Sequence, residues 1–531
     1  MIARALLGSL MLVIAQPAVA APERSAPLPV APIIGCGALK GADLTRPVSA
    51  PVTIDEAVPV AGISPYCRVT GTIAPQIHFE VRLPRRWTQR YLQTGCGGLC
   101  GSLRINVEKT QGCTPVTNGE IALASTDMGH RSGSSGDPKW GEDPALRIDF
   151  AHRGVHVTAL AAKALIRAYY GRGPRYAYFS GCSDGGREAL IEAQRYPNDF
   201  DGIAAGAPAL NFTVQNSFYH AWQARSNTGG DGKPILNPID LPVLHRAALA
   251  ACDALDGLAD GQIDDPRECH FDPAATRCPG AALHGQCLTD VQIEAARRLY
   301  GGAHDAKGRK LVVGGPQPGS ELSWAGVFVP REPGGTIFSG TIALETLRGL
   351  LFTPNPPSDY ALADWRFDAA TLASLEPARA LYNAEDPNLA PFHAHGGKLL
   401  LWHGWSDPHI SPLNTLDYYA RVGRTLGTAK RNAFVRLFLF PAMYHCQGGE
   451  GPSDFPLLAA LMRWVEQGTA PQSFVARREA SPGAAARTRP IFAYPAVARY
   501  RGTGSIDDAA SFVRFLPKRR SEQYPWLGAR D

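Results

Sequence analysis

Residues 176–197 read YAYFSGCSDGGREALIEAQRYP and run through a strand, a turn and a helix in direct succession. Tyr176 to Phe179 is a short aromatic and apolar run of the kind a buried strand needs. Arg187 to Tyr196 has helical character and stops before Pro197, which has no N–H to continue a helix. Between them, Gly181-Cys182-Ser183-Asp184-Gly185 satisfies G-x-S-x-G. That motif places a serine on a strained strand-to-helix turn, where glycines let the backbone pass close by. The same rhythm extends outward. Upstream, Phe150 to Tyr170 carries apolar residues at helical spacing and ends at Gly171, and His78 to Leu83, Tyr91 to Thr94 and Ile121 to Ser125 are strand-like. Downstream, Gly202 to Ala207, Lys398 to Trp402 and Val435 to Phe440 are further strands. Strands alternating with helices predict an α/β fold with a parallel sheet.

The rhythm breaks from Pro208 to about Gly397, a stretch rich in Gly, Pro and Asp that holds four cysteines. We expect an inserted lid domain at 208–397 and a catalytic domain made of 21–207 and 398–531. Residues 22–60 read as an irregular lead-in, and the chain from Arg489 onward as extended surface chain.

A serine nucleophile needs a base, and the base needs an orienting acid. In the hydrolase arrangement built on G-x-S-x-G, these follow in the order serine, acid, histidine. The strand Leu399 to Trp402 runs into His403-Gly404-Trp405-Ser406-Asp407, which makes Asp407 the candidate acid. Asp417 competes but falls inside a predicted helix after Pro412. The strand Leu437 to Phe440 leads into a loop ending at His445, the candidate base. His403 and His409 flank the acid and are expected to supply loop polarity or hydrogen bonds. Two-step acyl transfer is the chemistry this set points to. Cys182 precedes the serine and Cys446 follows the histidine. A bridge between them would close most of the chain into one loop and limit how far base and nucleophile can drift apart.

The 531 residues exceed one simple core; 45% are hydrophobic and 19% charged, an ordinary globular balance. Net charge is +5 with the basic residues scattered, so nothing supports a nucleic-acid partner. Residues 1–20 read as a signal peptide: Arg4, the apolar run Ala5 to Ile14, then Ala18-Val19-Ala20 as cleavage site. No later stretch is expected to cross a membrane, and the mature chain would begin near Ala21, in the periplasm or outside the cell. Eleven cysteines suit an oxidising compartment, and the odd number leaves one over.

Gly95-Cys96-Gly97-Gly98-Leu99-Cys100-Gly101 follows the strand Tyr91 to Thr94 and can aim backbone N–H groups at a developing oxyanion. Gly97 or Gly98 would give one donor and Asp184 the other. Cys113 is near enough in sequence to bridge Cys96 or Cys100. Residues 252–262, CDALDGLADGQ, put Asp253, Asp256 and Asp260 on a glycine-bent segment. Calcium takes six to eight hard oxygens, and the carbonyls of Leu258 and Gln262 could add to the three carboxylates. Cys252 and Cys269 flank this loop and could close it. Arg348 and Phe352, four apart in ETLRGLLF, would share one face of a helix. Trp324, Tyr360 and Trp365 are aromatic candidates for the lid, each better placed in the core.

The coupled Cys-Ser and His-Cys pattern, with an aspartate between, resembles the tannase and feruloyl esterase family. Matching runs include ASTDMGH at 124–130, GCSDGG at 181–186, DGIAAGAPA at 201–209, CDALDGLADG at 252–261 and ARYRGTGSIDDAASF at 498–512. The resemblance covers nearly the whole mature chain. It implies an α/β-hydrolase fold with a large lid, a serine esterase acting on hydroxycinnamoyl or galloyl esters, and a structural Ca²⁺ in the 253–262 loop. Cys36, Cys67, Cys278 and Cys287 join Cys182, Cys446, Cys252 and Cys269 in the expected disulfide set. Bacterial members that hydrolyse a terephthalate monoester make that substrate the alternative, and in them a pair similar to Arg348 and Phe352 faces the substrate. A binding protein without catalysis, on the same fold, is the alternative of another class. The cysteines in the 95–101 loop depart from the family's glycine-rich pattern, and Phe492 and Arg514 stand where many relatives carry a cysteine pair.

Overall fold

The structure is a computed structural model that describes residues 27–132, 138–280, 285–480, 485–518 and 522–530. The predicted signal peptide lies outside them. A nine-stranded sheet organises the chain: β1 (Val52–Val60), β2 (Tyr66–Ile73), β3 (Ile77–Pro84), β4 (Arg90–Thr94), β5 (Ala122–Thr126), β6 (Tyr176–Cys182), β7 (Gly202–Gly206), β8 (Lys398–Gly404) and β9 (Val435–Phe440). Their order in space is β1-β2-β3-β5-β4-β6-β7-β8-β9. The first three pairings are antiparallel and the last five parallel.

Helices cover both faces. Alternation along β8 shows how: Leu399 and Leu401 enter one core with Phe179, Ile203, Leu165 and Val422, while Leu400 and Trp402 enter another with Tyr178, Leu458, Leu461 and Trp464. The first core takes the helices Gly154–Tyr170, Asp184–Arg195 and Pro412–Leu426; the second takes Leu457–Gln467. Gly171 ends its helix in the left-handed conformation, φ 74°, with its N–H returned to the Arg167 carbonyl. Between β7 and β8, no described residue joins the nine-stranded sheet. This stretch builds its own apolar cluster around Leu244, Ile293, Leu299, Trp324 and Phe328. Its ends are less independent than the sequence implied, since Phe212, Trp365, Tyr382 and Phe392 pack into the first sheet core.

Two expectations are corrected. The lead-in at 22–60 is not irregular throughout: Val52–Val60 is the edge strand β1, its solvent face carrying Asp55 and Glu56. Such charges suit an open edge because they discourage pairing with another chain. The tail from Arg489 is not plain surface chain. Arg487–Phe492 pairs antiparallel with Ser473–Arg478, and Val497–Tyr500 with Phe512–Phe515. Arg489 is only 1% exposed: its guanidinium lies 4.0 Å above the Phe512 ring and pairs with Asp260. Its polar run reads as solvated because sequence cannot show that its cations are paired.

Candidate active site

Ser183 sits between β6 and the helix Asp184–Arg195 with φ 65° and ψ −122°, a conformation a non-glycine residue holds only when its surroundings impose it. Two glycines make the turn possible. A Cβ on Gly181 would lie 2.4 Å from the Gly185 carbonyl oxygen, and one on Gly185 would lie 2.8 Å from the Cys96 carbonyl oxygen. The Gly185 N–H donates to that same Cys96 carbonyl at 2.8 Å, tying the turn to the loop after β4. The helix begins at Asp184, three residues before the predicted start, so the Asp184 N–H is one of the first-turn amides that no intrahelical carbonyl can satisfy. Arg187, fully buried, clamps both Asp184 carboxylate oxygens at 2.7 and 3.0 Å and also donates to the Phe150 and Ala151 carbonyls.

The acid and the histidine come from loops after β8 and β9. Asp407 is 0% exposed, and its Oδ2 lies 2.6 Å from His445 Nδ1 and 3.1 Å from His403 Nε2. The backbone N–H groups of His409 and Ile410 donate to its Oδ1 at 2.8 and 3.0 Å. Burial by itself would raise this carboxyl, but the charge of and hydrogen bonds to His445 and His403 hold it well below the usual carboxylate range. His403, equally buried, also contacts Thr415 Oγ1 at 2.8 Å and the Ile410 carbonyl at 3.0 Å, so it props the acid. Asp417 lies in the helix Pro412–Leu426 and pairs with Arg421 instead.

Ser183, Asp184, Gly97, Gly98 and His445 all line one cavity of about 530 Å³. Cys182 and Cys446 are joined, with Cα atoms 6.0 Å apart, so the neighbours of Ser183 and His445 are covalently linked. Disulfides also join Cys36 to Cys67, Cys252 to Cys269, Cys278 to Cys287 and Cys96 to Cys100. Cys113 partners neither Cys96 nor Cys100 and is the free cysteine, because it belongs to the opposite core of the sheet, against Met462.

The structure adds supports that the sequence did not single out. Glu188 is buried under the 95–101 loop and accepts the Cys96 N–H at 3.1 Å. Burial first, then repulsion from Asp184, push its carboxyl up to about 8. His130, from the ASTDMGH run, contacts the Leu99 carbonyl at 2.8 Å and stacks on Trp140 at 3.9 Å. A histidine four residues past a strand is a signal for such a role only once the loop it faces is known. Arg348 and Phe352 do not line the cavity. The helix Phe338–Gly349 ends before Phe352, Arg348 donates to the Tyr360 carbonyl, and Phe352 meets Trp365 edge-on. The first turns of that helix supply Phe338 and Ile342 to the cavity instead.

In the 252–262 loop, the Asp253 carboxylate accepts the N–H groups of Asp260, Gly261 and Gln262, and Asp256 accepts that of Leu258 at 2.8 Å. Burial, then repulsion from Asp260, raises Asp256; burial, then repulsion from Asp256, raises Asp264 well above the usual range. Asp260 Oδ1 and Asp264 Oδ1 are buried with no hydrogen-bond partner. Buried carboxylate oxygens without hydrogen bonds fit a cation, although Arg489 already pairs with Asp260 and lies 3.8 Å from Asp264 Oδ1. Two tighter groups among the described residues could hold a metal: Cys96, Cys100, Asp184 and Glu188, whose two sulfurs are here bonded together, and His156, Glu192 and Asp199.

A serine on a strand-to-helix turn at the C-terminal end of a central strand of a mostly parallel sheet, with an acid–histidine pair on later loops, defines an α/β-hydrolase. Comparison with known proteins narrows the class. The profile of the family "Tannase and feruloyl esterase" matches residues 60–515. The chain is 32% identical to the mono(2-hydroxyethyl) terephthalate hydrolase of Piscinibacter sakaiensis, over 92% of this chain and 93% of that one. It is 33% identical to a probable feruloyl esterase B of Aspergillus clavatus, over 83% and 85%. The crystal structure of feruloyl esterase B from Aspergillus oryzae matches with a TM-score of 0.75 at 26% identity, over 87% of this chain and 97% of that one. The chain belongs to the tannase and feruloyl esterase family and is a carboxylic ester hydrolase.

Proposed function

We propose that this protein is a secreted or periplasmic serine esterase that hydrolyses hydroxycinnamoyl or galloyl esters through an acyl-enzyme. The observation that carries the mechanism is the 2.6 Å contact between His445 and Asp407, in the same cavity as a serine on a strained turn. Ser183 Oγ attacks the ester carbonyl as His445 Nε2 takes its proton; Asp407, on Nδ1, fixes the tautomer and stabilises the imidazolium. The N–H of Asp184 and that of Gly97 or Gly98 receive the oxyanion. His445 returns the proton to the departing alcohol, and water repeats the sequence to release the acid. A second reading, hydrolysis of a terephthalate monoester, is supported by the similarity to the Piscinibacter sakaiensis enzyme.

Residues 208–397 act as the lid in this reading. Asp253, Asp256 and Asp260, with the carbonyls of Leu258 and Gln262, would hold Ca²⁺; Asp264, whose buried Oδ1 has no hydrogen bond, is a further ligand candidate. None of these residues lines the cavity, so the ion's part is to neutralise and pin the loop. The expected leader and the five disulfides support export, and no helix among the described residues is long and apolar enough to cross a membrane. Kinetics on feruloyl, galloyl and terephthaloyl esters, with Ser183→Ala as control, test the proposal. Turnover of a chromogenic acetate ester separates any esterase from a silent binding protein.

A further inference from the structure

The cavity has two unlike ends. Ser102, Arg104 and Asn106 border it from an exposed stretch, and Glu108 and Lys109 continue that rim. The other end is enclosed by Phe212, Asn216, His220 and Ile342, all less than 9% exposed, together with Phe338 and His409. Three rings step inward from the base: His409 lies 4.8 Å from His445, centroid to centroid, and His220 lies 6.1 Å from His409. Phe338 meets both inner histidines edge-on, at 5.6 and 6.4 Å.

The polar atoms at this end are under-used. His220 Nδ1 contacts Ser339 Oγ at 2.9 Å, which leaves Nε2 for the cavity. Among the described residues, neither the ring nitrogens of His409 nor the side-chain amide of Asn216 has a hydrogen-bond partner. Asn216 is 8% exposed and lines the cavity, so what completes its amide is a ligand or water held there. Resting on the esterase reading above, we propose that Asn216, His220 and His409 form a subsite for the uncharged, hydroxyl-bearing edge of an aromatic acyl group, and that it selects against an acyl group ending in a carboxylate.

The chemistry of the walls supports this. A phenolic hydroxyl both donates and accepts, which suits neutral imidazoles and an amide. A carboxylate would need a cation at the same depth, since burying an unpaired charge is expensive. The cavity's cations, Arg104 and Lys109, belong to the rim, and Lys109 is spent on the Ser453 carbonyl and on the faces of Trp402 and Phe455. The histidines do not replace them. Burial, then the neighbouring His445, hold His409 down to about 3, and burial, then His409 and His445, hold His220 well below its usual value, against a weaker opposing pull from Asp407.

The test compares kcat/KM at pH 7 for methyl cinnamates bearing hydrogen, hydroxyl or carboxylate at the ring 4-position, so that only the far edge of the acid half changes. The hydroxyl ester is expected to exceed the unsubstituted one by about tenfold, as one or two hydrogen bonds imply, with the carboxylate ester below both. In Asn216→Leu, His220→Phe and His409→Phe, the hydroxyl-to-hydrogen ratio should fall toward one. A ratio measured on one protein is insensitive to partial loss of folded enzyme. A best rate on the carboxylate ester, or a ratio unchanged in all three variants, overturns the subsite. Hydrolysis of a chromogenic acetate ester with none of the three cinnamates also overturns the subsite while the esterase reading stands. Inactivity on every ester overturns that underlying reading.

Discussion

Replacing Cys182 and Cys446 together by alanine separates two effects that the bridge combines. The first is on stability. The bridge closes a loop of 264 residues, and chain entropy sets its stabilisation at about 5 kcal/mol, the top of the range that disulfides deliver. The shorter bridges Cys252–Cys269 and Cys278–Cys287 lie inside this loop but barely change the value, because the dependence is logarithmic. For a chain of this length the unfolding entropy is roughly 1 kcal/mol per kelvin, so the loss corresponds to a fall in Tm of about 5 °C. The second effect is on placement. Each cysteine adjoins a residue proposed to react, and a misplacement of about 1 Å can cost a hundredfold in rate. The expected result is kcat reduced by about a hundredfold, KM changed by no more than about threefold, and Tm lowered by a few degrees. Steady-state kinetics on one ester and melting followed by circular dichroism provide the three numbers. A variant with kcat within about threefold of the parent and a lowered Tm would refute the placement argument and leave the bridge as a staple. Detection of either thiol as free in the active parent enzyme would remove the bridge itself.

Ser183→Ala should lower ester turnover by about 10⁴-fold or more with an unchanged circular dichroism spectrum; near-parental turnover would displace Ser183 as nucleophile. Chelation should lower the Tm of the parent by several degrees, and Asp256→Ala should abolish that response; a parent free of bound metal and indifferent to chelator would reduce the loop to an acidic turn. His130→Ala should reduce kcat about tenfold with little change in KM, since it loosens the Leu99 carbonyl behind the 95–101 loop; an equal loss through KM alone would contradict a role in placing the oxyanion donors. The native Glu188 carboxyl, held near 8 by burial and by Asp184, binds a proton that the unfolded chain, titrating near 4.3, has lost, so stability should fall as pH rises from about 4.3 to about 8. Glu188→Gln should match the parent below that window and gain on it toward pH 8; parallel Tm profiles would show that Glu188 does not titrate there.

What the sequence conveyed follows from which signals are local. The strands β3 to β9 were readable because buried strands carry apolar runs, as Gly202–Gly206 and Leu399–Trp402 do. Strand β1 was lost because an edge strand is half solvated, and Val52–Val60 mixes charges and a proline with its valines. The residues Ser183, Asp407 and His445 follow from strand ends alone, and the structure brings the last two into contact. The pairing of Cys96 with Cys100 was not readable, since deciding between Cys100 and Cys113 requires knowing which face of the sheet each occupies. Arg348 and Phe352 failed for a similar reason. The i,i+4 argument holds only inside a helix, and the helix stops at Gly349. His220 and Asn216 gave no signal because an isolated histidine or asparagine becomes informative only when its neighbours leave it unpartnered.

The strain at Ser183 explains why so many constraints meet at residues 181–188. A non-glycine residue in this backbone region costs on the order of 1–3 kcal/mol and persists only when its surroundings over-determine it. Here the Gly185 N–H is held by the Cys96 carbonyl and the Cys96 N–H by Glu188, three residues along the same helix. Arg187 locks Asp184 in place, Cys182 is bonded to Cys446, and the loop opposite carries its own bridge between Cys96 and Cys100. Two of these ties connect the serine turn to elements that would supply other parts of the chemistry: the proposed oxyanion loop through Cys96 and the histidine loop through Cys446. The constraints that hold the serine in its strained conformation are thereby the ones that set its distance from the base and from the donors. Stability and catalysis at this site depend on the same few bonds, and for that reason changes to kcat and to Tm in the cysteine and Glu188 variants must be measured together.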